Sequence, residues 1–248
     1  MRSILQLGGI AASNPTLAPD TERKHPEGHI VTFDDAYWGG GEAIYVQFNG
    51  TVNPFDIVKF VPVFNSTLKR WEYKTVQLDA NAANKAQSVG VYMGYVAAAS
   101  GNWGWIQLTG LTPVRSAANV TAAAPFYTGA SAGQGYATQG NGKQILNAVC
   151  ALAASGTSVV SAYTTNGSKE VLVPPGAADG WFPGIVISGT NITGTVKVVN
   201  VSPDGRKVYL DTAATGSGQT SLTGTYNDGT AYFNIAQINR PFQQGQAA

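Results

Sequence analysis

From His29 onward, apolar residues come in runs of only a few positions, each ended by Gly, Pro, Asn, Asp or Ser. That punctuation leaves no room for long helices and predicts short strands joined by turns. The first runs are residues 30–33, 42–48, 56–63, 71–78, 88–96 and 103–109, with Gly39-Gly40-Gly41 breaking the first from the second. In the last, Trp103 and Trp105 alternate with small neighbours, whereas Ile106 and Leu108 alternate with Gln107 and Thr109. The phase slips once, which predicts a bulge on a mostly buried face. Asn49-Gly50 predicts a tight turn, because both residues tolerate positive φ. Later runs fall at 171–173, 181–188, 194–201, 206–211 and 231–238, and Asp204-Gly205 is the clearest hairpin signal. Ala-rich stretches at 80–86, 117–124 and 148–154 are short and interrupted, so at most one or two helical turns are expected in each. The pattern predicts an all-β chain, a mostly antiparallel barrel or sandwich.

Only 12% of residues are charged, roughly half the share usual in soluble domains. Gly, Ser, Thr, Asn and Ala take their place, which favours surfaces that hydrogen-bond with neighbours in an assembly. The net charge of +1 gives no field to attract a polyanion. The basic residues Arg23, Lys24, Lys69 and Arg70 stand as isolated pairs, so no nucleic-acid partner is expected. Cys150 is the single cysteine, which excludes an intramolecular disulfide and predicts a buried structural thiol. No run of about 18 apolar residues occurs, and no membrane span is expected. Residues 1–28 carry Pro15, Pro19 and Pro26 with mixed charges and no sustained period. They are read as an extended N-terminal arm rather than a secretion signal, because Gln6, Gly8 and Gly9 interrupt the apolar start.

Each chemical motif lacks its required context. Gly129-Ala130-Ser131-Ala132-Gly133 matches a nucleophile elbow, yet a turn-rich stretch follows where a helix is needed, and both histidines come earlier. His25-Pro26-Glu27-Gly28-His29 places two imidazoles beside a carboxylate, but Pro26 and Gly28 oppose the helix that would align them, so a solvated arm segment is expected and no metal. Gly140-Asn141-Gly142-Lys143-Gln144 lacks the leading glycine and the Ser or Thr of a phosphate loop. Asp34-Asp35 and the scattered Asp and Glu residues form no pairing that the sequence certifies, so a surface hydrolase built on carboxylates is the least favoured reading. Tyr37-Trp38, Trp103, Trp105 and Trp181-Phe182 have the chemistry to stack on sugars and are read as core or interface anchors. The expectation is a non-enzymatic protein without a cofactor.

The segment Gly28-His29-Ile30-Val31-Thr32, followed by Asp35-Ala36-Tyr37-Trp38-Gly39-Gly40-Gly41-Glu42-Ala43-Ile44-Tyr45-Val46, resembles a family of small bacteriophage virion proteins. The likeness continues through Ser88-Val89-Gly90-Val91 and Gly104-Trp105-Ile106-Gln107-Leu108-Thr109-Gly110, and ends in Ile238-Asn239-Arg240-Pro241-Phe242. It implies a head decoration or cement protein on the outer capsid surface of the virion, made in the host cytoplasm. The implied partners are the major capsid protein and copies of the chain itself, as a trimer or other homo-oligomer. The expected core is residues 29–164 plus 229–242; residues 165–228, where the chain departs from the family's short form, are read as an inserted β-subdomain, and the polar residues 243–248 as a loose tail. Arg2, Ile4, Leu5, Leu7, Tyr37, Trp38, Arg240 and Phe242 are the expected interface residues. The alternative is a tail- or fibre-associated protein whose inserted module binds a host surface glycan.

Overall fold

The computed structural model describes residues 3–4, 18–35, 39–202 and 204–245. Among them every regular element is a strand, so the chain is all-β. It divides into a large unit, Ser3–Asp34, Gly39–Ala153 and Asn234–Ala248, and a small unit formed chiefly by Ala154–Phe233.

In the large unit, β1 (Ser3–Ile4), β2 (Ile30–Asp35), β3 (Gly41–Phe48), β4 (Ile57–Asn65), β5 (Arg70–Gln77), β6 (Val89–Tyr92) and β7 (Trp103–Gln107) form one sheet. Its order is β1-β2-β3-β5-β4-β6-β7, and a further β3–β7 pairing closes the last five strands into a ring. The β3–β5 pair is parallel and the other ring pairs are antiparallel. Side chains alternate across a strand, so Ile44, Val46 and Phe48 join Val58, Tyr92 and Ile106 in the ring's core. Phe48 meets Tyr92 edge to face at 5.0 Å.

The predicted bulge at Trp105–Ile106 is not there. Register runs unbroken from Ala43↔Gln107 to Gln47↔Trp103. The apolar phase slips because β7 is covered on both faces, Ile106 by the ring interior and Trp105 by residues preceding β2. Asn49-Gly50 likewise makes no hairpin. Neither residue has positive φ, and the Asn49 N–H donates to the Thr75 carbonyl, prolonging the parallel β3–β5 pairing.

A second closed barrel follows in the same unit. Its strands are β8 (Thr109–Ser116), β9 (Pro125–Thr128), β10 (Gly135–Tyr136), β11 (Gln144–Leu152) and β18 (Tyr232–Gln243), in the order β10-β8-β18-β11-β9. Val114, Phe126, Ile145 and Ile238 share an interior with Ile57 and Val91 of the ring, where the remaining void is only about 10 Å³. Buried Asn234 donates to Asn119 Oδ1 and the Val120 carbonyl and accepts from the Val120 N–H. Cys150 is buried and free beside it, and burial raises its thiol pKa. The Ala-rich stretches form no helix. Most of 148–154 is β11, and positive φ at Asn81, Asn84 and Ala86 makes 80–86 a run of turns.

The small unit is a closed antiparallel barrel of β12 (Gly156–Thr164), β13 (Glu170–Leu172), β14 (Val186–Gly189), β15 (Ile192–Val201), β16 (Lys207–Leu210) and β17 (Gly218–Thr225). Its order is β12-β13-β16-β15-β14-β17. Phe182 packs on Tyr226 and Phe233 at the core. The hairpin signalled by Asp204-Gly205 joins β15 to β16, with Val201 opposite Val208. Asp204 accepts from the Ser202 hydroxyl and the Arg206 N–H, and Gly205 takes φ +67°. This unit begins before residue 165, because β12 pairs with β17 from Gly156 to Thr164.

A test of the close approach between β3 and β8 lies at Gly41. A Cβ there would sit 2.2 Å from the Thr109 carbonyl oxygen, so the backbones of β3 and β8 approach as closely as they do only because the side chain is absent. Gly41→Ala is expected to cost about 1–3 kcal/mol or more. Gly50→Ala, whose Cβ would meet only Val76 at an ordinary 3.7 Å and whose φ is not positive, should stay within about 0.5 kcal/mol. Thermal denaturation of the two variants checks the contrast.

Candidate functional site

Two neighbouring features of the large unit stand out: the segment leading into β2 and the β4–β5 hairpin. Asp20 bridges to Trp103 through paired backbone hydrogen bonds of 2.8 and 2.9 Å. The Gly28 N–H donates to the Tyr45 carbonyl at 2.8 Å, and the Tyr45 N–H donates to the His29 carbonyl at 2.9 Å. The Tyr45 hydroxyl donates to Asp20 Oδ2 at 2.9 Å and accepts from the Lys24 N–H. The stretch from Asp20 to His29 is therefore fixed to the outer face of β3 and β7. This corrects the expectation of a solvated segment, since the uncovered Tyr45 and Trp105 faces recruit the chain.

His25 is 8% exposed. Its ring lies 5.1 Å from Tyr45, 5.3 Å from Trp105 and 6.3 Å from the parallel ring of His29. Burial first, then the neighbouring His29, lowers its pKa below the ordinary histidine value. Burial also raises the Tyr45 phenol. Glu27 Oε1 accepts from Trp103 Nε1 at 3.4 Å. Glu27 Oε2 and Trp105 Nε1 are both buried with no hydrogen-bond partner among the described residues. A cleft of about 360 Å³ opens beside them, walled by Arg23, His25, Glu27, Arg70, Trp71 and Glu72 among others.

The β4–β5 hairpin carries the second feature. Phe64 opposes Trp71 and Pro62 opposes Tyr73, so these side chains share one face. Trp71 is 66% exposed, Leu68 55% and Phe64 48%, and Phe64 meets Trp71 edge to face at 5.5 Å. On the other face Glu72 accepts from Asn65, Arg70 and Lys74. Lys74 foremost holds its carboxyl below the usual range. Below the hairpin, Ile44, Phe60, Pro62, Tyr73, Leu108 and Pro241 line a more apolar groove of about 580 Å³, with Arg240 among its walls.

Of the expected interface residues, Arg2, Leu5, Leu7, Tyr37 and Trp38 lie outside the described residues, and Ile4 is in β1. Phe242 is partly exposed on β18. Arg240, at φ +46° where β18 slips register against β11, pairs with Glu42 at 3.0 Å. Asp34 is exposed on β2. Trp105, Trp181 and Phe182 are buried, whereas Trp71, not singled out by the sequence, is the most exposed large apolar side chain described. Its signal was local charge: Lys69-Arg70-Trp71-Glu72-Tyr73-Lys74 is dense with ions in a charge-poor chain.

The catalytic motifs have structural duties. A Cβ on Gly133 would lie 2.8 Å from the Asp56 carboxyl carbon, and the Gly133 carbonyl accepts from the Ile57 N–H. Lys143 Nζ donates to Asn81 Oδ1 in a turn. No group of three or more His, Cys, Asp or Glu side chains placed to hold a metal occurs among the described residues. Asp56 is fully buried, with Oδ2 accepting from the Asn53 N–H and from Gln77. Burial pushes its carboxyl up to about 6 despite those bonds. Comparison with protein-family models, curated proteins and solved structures returned no match.

Both shifts give pH signatures of opposite sign. Asp56 stabilises the fold most when protonated, and that contribution is lost as pH rises from about 4 through about 6. Relative to wild type, Asp56→Asn should gain stability across that window, by roughly 3 kcal/mol at most. His25 is buried in its neutral form, so its contribution is present above about 6.5 and lost as pH falls below it. Protection factors at residues 18–29, corrected for the intrinsic exchange rate at each pH, should fall on acidification, and His25→Gln should flatten the response.

Proposed function

We propose that the chain is a non-enzymatic structural protein of a bacteriophage particle, a head decoration or cement protein bound to the outer capsid surface. The observation that carries this reading is the projecting β4–β5 hairpin, whose Val63, Phe64 and Leu68 are exposed in a protein of low charge. Clustered exposed apolar side chains mark contact with another protein. The groove beneath, between Pro62 and Pro241, extends that surface. β1 adds a strand beside β2 at the sheet's end, the geometry by which an arm joins a neighbour's sheet edge. The likeness of the segments around Tyr37–Val46 and Arg240–Phe242 to phage virion proteins supplies the biological setting.

The partner in this reading is the major capsid protein, with further copies of the chain alongside. Each contact is modest, and many copies acting together resist expansion of the particle through multivalency. The test is occupancy on capsids that lack the protein, measured by sedimentation and imaging. Phe64→Ser combined with Leu68→Asp is expected to lower occupancy at least tenfold with an unchanged melting temperature. Unchanged occupancy, or localisation to the tail alone, overturns the reading.

A further inference from the structure

The projecting half of β5 has an open edge whose side chains match themselves. We propose that Arg70–Tyr73 pairs edge to edge, antiparallel, with the same strand of a second copy, about a two-fold axis at Trp71. This goes beyond the capsid-binding reading, and the pairing needs no capsid to form.

Register fixes where the backbone groups point. β4 and β5 pair without a break from Val58↔Gln77 to Asn65↔Arg70. Within that ladder Phe60 lies opposite Thr75. The Phe60 N–H donates to the Ser88 carbonyl, and the Thr75 carbonyl accepts from the Asn49 N–H. Both residues therefore direct their backbone groups away from the hairpin. Alternation then turns Pro62 and Phe64 outward on β4, and Tyr73 and Trp71 outward on β5.

The two edges differ in what they offer. On β4, Pro62 has no N–H to give, and a proline blunts an edge against further pairing. On β5, β3 pairs only with Lys74 and Thr75. From Tyr73 to Arg70 no strand lies beyond β5 among the described residues, and the cleft of about 360 Å³ runs beside this stretch. The outward groups of Trp71 are thus presented for a further strand, and no proline guards them.

Charge selects both the partner and the register. With Trp71 opposite Trp71 of the second copy, Arg70 faces Glu72 of that copy, and the two-fold axis repeats the pair. The Arg70 side chain is 44% exposed and holds Glu72 of its own chain at 3.2 Å, so the four groups alternate in sign. Sliding one strand by two residues sets Glu72 against Glu72, and sliding it the other way sets Arg70 against Arg70. Both put like charges opposite each other, which destabilises a strand pair. A register centred on Tyr73 needs the Thr75 carbonyl, which Asn49 already holds. On the other face of the hairpin, Trp71 lies beside Trp71 of the second copy. That contact covers a ring left 66% exposed in one chain.

The contact is small, in the class below about 1,200 Å² that gives weak complexes, so sedimentation equilibrium of the full chain is followed up to about 500 µM. Expected is a concentration-dependent dimer that Arg70→Glu weakens at least tenfold, with an unchanged circular dichroism spectrum. Cross-linking then reads the register. Opposed Trp71 positions lie about 5.5 Å apart between Cα atoms, within the span of a disulfide, whereas opposed Tyr73 positions are offset by about 14 Å along the strand. Under oxidised glutathione, Trp71→Cys should form a covalent dimer at least tenfold faster than Tyr73→Cys, and the native Cys150 is buried and does not compete. A monomer throughout the concentration range overturns the proposal. So does equal cross-linking at the two positions, or an Arg70→Glu dimer as tight as wild type. None of these outcomes bears on capsid occupancy, which is tested through Phe64 and Leu68.

Discussion

The large unit depends on β7 returning to pair with β3. Without that pairing the first sheet is an open strip, and the interior built from Ile44, Val46, Phe48 and Ile106 has no fourth wall. Each such side chain contributes about 1.5–3 kcal/mol when fully buried, so closure and core formation are one event. The same strand anchors the chain elsewhere. Trp105 on its outer face is the surface against which His25 and Tyr45 pack. Buried Gln107 at its end donates to the Thr109 and Leu111 carbonyls, turning the chain into the second barrel.

Strand positions were legible because turn residues delimit them, and those signals are local. Asp204-Gly205 is the clearest case, since a two-strand hairpin needs nothing beyond its own turn. Pairing partners were not legible. Asn49-Gly50 has the composition of a hairpin turn, yet the strand before it lies between β5 and β7, and the turn residues serve a parallel pair instead. The alternation in β7 failed for the same reason. A strand covered on both faces shows no period of two, and a one-sided reading turns that into a bulge.

The candidate site was harder to see than the fold. His25-Pro26-Glu27-Gly28-His29 reads as polar arm because its partners, Tyr45 and Trp105, are remote in sequence. Trp71 reads as one more strand aromatic because exposure depends on where the hairpin projects. The two ends of the motif pattern do meet, through Glu42 and Arg240. That pair is largely solvated and adds little stability, but it sets Pro241 against the wall that closes the interior.

The small unit leaves and rejoins the large one through two strands that are already neighbours. Leu152 near the end of β11 lies opposite Ile235 in β18, about 5 Å away as in any antiparallel pair. To the second barrel, the intervening chain is the loop of a hairpin. The entropy of closing such a loop rises only with the logarithm of its length, so a segment of any size fits that position at small expense. The junction therefore works as a port. Replacing what it carries, even with a short turn, is expected to leave the β11–β18 pairing of the scaffold in place.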